Sequence, residues 1–261
     1  MGHTRGVEAS ETQRECGALV TPPEPVDHNA LVGPYPFRAL PDPTPERLVA
    51  DMERLGIARA WVGHVPSIFY RDVAAGNDEL FRTLAPHRSR LLPVPAVNPA
   101  YPGWERELER AQREGAPAVR TYPTHCGFGA AGAEMRALAA ACAGSGLELV
   151  LTVRLEDGRQ RHRLDVAPEL LGADVRAVVR AHPALTMLVT NADRALIEEV
   201  HFGSTPAEAA RVRWDIAWLW GPPDDQLALL FRTIGRDRFV LGTHFPFRLP
   251  EAALTRLALA G

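Results

Sequence analysis

The sequence contains no lysine: its 29 basic residues are all arginine, set against 32 acidic ones. That excludes a Schiff-base lysine, a lysine general base and a carbamylated lysine bridging two metals. Cysteine is scarce too. Cys16, Cys126 and Cys142 are odd in number and lack C-x-x-C spacing, so neither a disulfide framework nor a thiolate zinc site is indicated. Cys142 reads as helix core. No apolar run approaches the roughly 18 residues of a membrane span and no signal-peptide core is present, so no membrane partner and a cytoplasmic location are expected. A net charge of −3 gives no electrostatic reason to expect nucleic acid.

What is present is an ordinary globular balance, 46% hydrophobic and 23% charged over 261 residues, enough for one large core. Residues 1–25 have no sustained period and end in a proline cluster, which predicts an arm or extension. From Val26 onward, strand-like apolar runs alternate with helical patterns. Strands are predicted at 26–31, 59–64, 90–97, 117–122, 148–154, 185–191, 211–217 and 238–244. Helices are predicted at 45–55, 71–85, 103–114, 132–145, 168–181, 193–201, 223–234 and 250–259. Eight βα units over residues 26–261 predict a single (β/α)₈ TIM barrel of the α/β class. A doubly wound sheet is the alternative, but no glycine-rich fingerprint follows the first strand. "GFGAAG" at 127–132 lies after the fourth strand with no acidic residue placed to read a ribose.

Barrel chemistry is built at the C-terminal ends of strands. Period-two alternation puts Asp27 and Asn29 on one side of the first strand and His28 on the other. The fourth strand ends in Arg120, Tyr122 and His125, the fifth in Arg154, Glu156 and Asp157, the sixth in Asn191, the seventh in Asp215 and the eighth in His244. Singly, each has an ordinary explanation. Arg154 with Glu156 or Asp157 can be a rim ion pair, Asp215 a cap, and His125 and His162 surface imidazoles. Their convergence on one mouth favours a site. Trp218 and Trp220 suit either packing on the barrel or the surface of a homodimer.

The segments "VDHNALVGPYPFR", "AVRTYPTHCGF", "LELVLTVRLED", "WDIA" and "LGTHFPF" resemble the amidohydrolase-related barrel family, which includes aminocarboxymuconate-semialdehyde-decarboxylase-like proteins. The resemblance implies a divalent metal, usually zinc, held by His-x-His on strand one, a histidine each on strands five and six, and an aspartate on strand eight. This sequence departs at every ligand, with Asp27 and Asn29, Arg154, Asn191 and His244 at those positions. Such a set is poor for zinc, because a guanidinium repels a cation. If a metal is retained, Asp27 and His244 are its candidate ligands, with His125 or His201 in support. The expectation is instead a metal-free hydrolase acting on a small anionic or amide-bearing metabolite. Asp27, His244 and His125 would serve catalysis, and Asn29, Arg120, Arg154, Glu156, Asn191 and Asp215 would bind substrate. A decarboxylase-like lyase is one alternative. The other is an inert barrel that binds a small molecule or a partner.

Overall fold

The structure, a computed structural model, describes residues 25–221 and 224–261. The arm expected over 1–25 lies, Pro25 apart, outside the described residues. The parallel strands are β1 (Val26–Val32), β2 (Arg59–His64), β3 (Leu91–Pro93), β4 (Ala118–Thr121), β5 (Glu148–Thr152), β6 (Met187–Thr190), β7 (Val212–Asp215) and β8 (Phe239–Val240). They form two ladders, β1-β2-β3 and β4 through β8. Isolated bridges, Ala96 with Arg120 and Ala30 with Phe245, join the ladders on both sides and close the barrel. The eighth strand was expected to reach residue 244. Its ladder ends at Val240 because the chain beyond switches to the opposite edge: His28 N donates to Leu241 O and His244 N to Asn29 O, each at 2.8 Å.

Helices α1 (Pro45–Leu55), α2 (Val73–Leu84), α3 (Glu105–Arg113), the single turn α4 (Pro123–Cys126), α5 (Ala133–Ser145), α6 (Gly172–Ala181), α7 (Arg194–Phe202), the single turn α8 (Pro206–Ala209), α9 (Gln226–Thr233) and α10 (Pro250–Leu259) lie between and after the strands. The limits of α1 follow from local chemistry. Thr44 accepts a hydrogen bond from Arg47 N, Pro45 starts the helix with its φ already set, and Gly56 ends it at φ 69°. The main core packs outward-facing strand residues such as Val62, Leu91, Leu149 and Val189 against apolar helix faces, including Leu48, Leu80, Leu138 and Val178. Burying each such side chain stabilises by about 1.5–3 kcal/mol. Cys142, as expected, belongs to this layer.

Inside the barrel, alternate strand residues stack in layers. The lower layer is apolar, with Val94, Ala118, Val150 and Leu188 buried against Trp61 and Val240. Two residues further along the same faces the side chains turn polar: Arg120 follows Ala118, Thr152 follows Val150 and Thr190 follows Leu188. The residue alternation that builds the core therefore also delivers polar groups to the mouth.

Strand β1 breaks that alternation. Its register with β2 shifts between Asp27 and Ala30, so two residues, His28 and Asn29, stand opposite the single Trp61. His28 packs its ring 4.8 Å from Trp61, toward the lower layer. Asn29 enters the mouth, while Asp27 turns into the seam between β1 and β8. The sequence expectation that Asp27 and Asn29 share a face and His28 opposes them is corrected by this bulge.

Candidate active site

The mouth is a hydrogen-bonded network of five fully buried side chains, from β1, β4 and β7 and from the segments that follow β6 and β8. Asn29 lies at its centre. Its amide nitrogen donates to Asp215 Oδ2 at 2.6 Å and Asn191 Oδ1 at 2.8 Å, and its oxygen accepts from Arg120 Nη2 at 3.0 Å. Asp215 Oδ1 accepts from Asn191 N at 2.8 Å. Asn191, in the left-handed region at φ 62°, donates through Nδ2 to Arg154 O at 2.8 Å and lies 3.2 Å from His244 Nδ1. His244 Nε2 lies 2.7 Å from Leu155 O. A carbonyl only accepts, so Nε2 carries the proton and Nδ1 accepts from Asn191. His244 is itself held at φ 57°, a strained conformation for a residue with a Cβ.

The electrostatics of this network follow from burial. Desolvation lifts the Asp215 carboxyl to about 6, against hydrogen bonds from Asn191 and Asn29 and the nearby Arg120 charge that favour ionisation. Desolvation, with two arginines nearby, drops the His244 imidazole to about 3, so it is neutral at physiological pH. Asp27 is raised by burial as well. Its oxygens are taken by Thr243, whose N and Oγ1 donate at 3.0 and 2.6 Å, and by Asn29 N at 3.0 Å. Asp27 and His244, both expected to serve catalysis, are therefore not paired: Asp27 binds Thr243, because the bulge aims it away from the imidazole.

The two arginines also divide differently from expectation. Arg120, nearly inaccessible, supplies the cation inside the mouth. Arg154 faces the rim, with ion pairs to Asp193 (2.9 Å) and Glu169 (3.2 Å) and its guanidinium 5.2 Å from the Trp218 ring. Glu156 binds neither Arg154 nor the mouth; it pairs with Arg38 of the loop after β1 at 2.5 Å. His125 lies 3.2 Å from Asp165, a dyad across the loops after β4 and β5 rather than part of the Asn29 network. His201 stands at the C-terminal end of α7, beside Phe202, where partial burial and then the nearby Arg238 charge lower its pKa. It is thus placed at the opposite end of the barrel from the mouth.

An apolar cluster roofs the network. Tyr35, Leu40, Val65, Ile68, Tyr122 and Leu155, flanked by Phe37, Phe69 and Phe247, come from the loops at the C-terminal ends of five strands. Phe247 stacks on His244 with ring centres 5.0 Å apart and planes 18° from parallel, and His162 stacks on Phe37 at 5.2 Å. Sequence reasoning missed Thr243, Asp165 and Arg248. Thr243 and Arg248 had a signal, since both lie in or next to "LGTHFPF"; Asp165 had none, because only loop folding brings it to His125.

No protein-family model matches the sequence, and comparison with curated proteins gives no match. Similarity appears with solved structures. The 2,6-dihydroxybenzoate decarboxylase from Rhizobium has a TM-score of 0.68 at 12% identity, over 91% of this chain and 92% of that one. A probable 2-pyrone-4,6-dicarboxylic acid hydrolase from Acinetobacter baumannii, solved with citric acid bound, gives 0.64 at 9% identity over 91% and 92%. A dihydroxybenzoic acid decarboxylase from Polaromonas sp. JS666, with bound manganese and 2-nitroresorcinol, gives 0.65 at 14% identity over 90% of each chain. At such identities the shared property is the fold, the (β/α)₈ barrel that the sequence resemblance implied.

The side chains here do not fit the metal of that comparison. Among the described residues no three His, Cys, Asp or Glu side chains are grouped to hold an ion. Asp27 is engaged by Thr243, both His244 nitrogens have partners, and Asn29 is saturated by Arg120, Asn191 and Asp215. A guanidinium beside this donor set adds repulsion.

Proposed function

We propose that the chain is an enzyme that transforms a small anionic metabolite by metal-independent proton transfer, with Asp215 as the proton-exchanging group and His244 as a neutral polar group beside it. The observation that carries this reading is the placement of Asp215, fully buried at the mouth of the barrel and bonded to Asn29 and to Asn191 N, where desolvation lifts its carboxyl to about 6. A carboxyl poised near neutrality can give and take a proton, and such perturbed groups concentrate in active sites. The compounds named for the similar structures, dihydroxybenzoates and a pyrone dicarboxylic acid, are small anions. Hydrolysis needs a base that strips water of a proton, and decarboxylation needs an acid that delivers one to carbon; Asp215 suits either. Substrate reaches it only when Phe247 and the aromatic roof move aside, which would also keep bulk water from the reacting atoms.

A catalytically inert barrel is the second reading. In its favour, Asn29, Asn191 and His244 are satisfied within the protein; against it, the buried Arg120 Nε has no partner among the described residues. Turnover of 2,6-dihydroxybenzoate and of 2-pyrone-4,6-dicarboxylate, followed by absorbance, separates the two. The enzymatic reading expects turnover of one of these, reduced about 100-fold or more in Asp215→Asn. Ligand-induced thermal stabilisation without turnover supports the binding reading, and turnover unchanged in Asp215→Asn removes Asp215 from the mechanism.

A further inference from the structure

Beside the aromatic roof, between the loop after β1 and the start of α10, is a cavity of about 250 Å³. Its walls are largely apolar, including Phe245, Pro246, Phe247 and Leu249, with three arginines, Arg38, Arg47 and Arg248, and two acids, Asp51 and Glu251. Charge pairing singles out one of these groups. Arg38 is bound to Glu156, Arg47 to Asp51, and Arg54 of α1 to both Asp51 and Glu251. The Arg248 guanidinium forms no hydrogen bond or ion pair with any described residue. It is half-buried and lies 4.2 Å over the Trp218 ring and 5.7 Å from that of Trp220. Stacking fixes the guanidinium plane and leaves its edge, where the donors are, open to an acceptor.

We propose that this cavity is a subsite for a small organic monocarboxylate, whose carboxylate takes the Arg248 fork while its apolar body packs on Phe247, Phe245 and Leu249. Asp157 and Asp215 act on this guanidinium only through space, without a direct ion pair, and a half-buried guanidinium whose donors are not taken by a carboxylate favours an anion with two coplanar oxygens over a spherical one. An apolar wall on the other side selects an anion with a hydrocarbon body over inorganic phosphate. Phe247 is at once the wall of the cavity and the ring covering His244. A ligand seated there touches the residue that closes the proposed active site. The binding claim does not depend on the acid–base reading of Asp215.

The test is equilibrium titration of the full chain with benzoate and, separately, with inorganic phosphate, followed by tryptophan fluorescence and thermal shift. Saturable benzoate binding, tighter than phosphate, is expected. Arg248→Gln should weaken it by roughly tenfold or more, the value of a lost charged pair of hydrogen bonds. Arg248→Lys, which keeps the charge without the fork, should weaken it too, and it serves as the measured variant if the Gln form fails to fold. Arg47→Gln, which removes a cation already paired, should leave affinity within a factor of about three. Equal loss in Arg47→Gln and Arg248→Gln would reduce the cavity to a diffuse positive surface and overturn the proposal. So would phosphate binding as tightly as benzoate, or no saturable benzoate binding at millimolar concentration. Benzoate binding that survives in Asp215→Asn while turnover does not would uphold both readings separately.

Discussion

Asn29 donates a 2.6 Å hydrogen bond to the Asp215 carboxylate and, through the other end of the same amide, accepts one from Arg120. One neutral side chain thus joins a buried anion to a buried cation. Removing the cation takes from the anion the charge to which Asn29 links it, leaving Arg248 and Arg256 acting only through space, so Arg120→Met should destabilise the fold by about 3 kcal/mol in urea unfolding. Adding Asp215→Asn should restore part of that loss. Strictly additive losses in the double variant would mean that the two charges are not coupled.

The pH dependence of stability follows from opposing groups. Asp215 titrates near 6 in the folded chain against an ordinary 3.8, so its contribution is present at low pH and is lost as pH rises through about 6. Asp27 has the same sign. His244, lowered to about 3, and His28 and His64, each lowered to about 4 from 6.5, act the other way: their contribution is full above 6.5 and is lost as pH falls toward those values. Three such histidines outweigh two carboxyls. The melting temperature should therefore fall between about pH 7 and pH 5, and fall more steeply in Asp215→Asn, which lacks the opposing carboxyl. A melting temperature that rises over that interval would show that the carboxyls dominate.

Thr243 holds the β1–β8 seam through Asp27. Thr243→Val removes the 2.6 Å hydroxyl bond and leaves Asp27 Oδ2 buried without it, for an expected loss of about 1–3 kcal/mol. Thr243→Ser keeps the hydroxyl and should recover most of that. Equal losses in the two variants would point to the methyl group instead.

Because the candidate metal donors are already bonded to protein, zinc or manganese at micromolar concentration should not raise the melting temperature. Metal analysis should find well under one equivalent per chain. A metal-dependent rise of several degrees, abolished in His244→Asn, would show that the network opens to make a site.

Much of the architecture was legible in one dimension. Helix α1 agrees with expectation to the residue because Thr44, Pro45 and Gly56 are local signals. Helix α6 begins at Gly172 rather than 168, since the preceding residues remain with the loop after β5, a choice local pattern does not encode. The polar strand ends were legible as a set, and Asn29, Arg120, Asn191, Asp215 and His244 do meet. Their pairing was not. The register shift in β1 turned Asp27 away, and Arg154, expected with Arg120 to bind substrate, serves the rim while Arg120 lies within.

Composition and periodicity by themselves determined the lysine-free chemistry, the eight βα units and which strands end in polar groups, because these depend on residue identity and on contacts a few positions apart. Only the tertiary structure decided which groups touch. One extra residue between Asp27 and Ala30 reverses the face of a side chain, and burial moves Asp215 and His244 in opposite directions from their ordinary titration. Both effects arise from distant segments closing on one another, and no local window of sequence contains them.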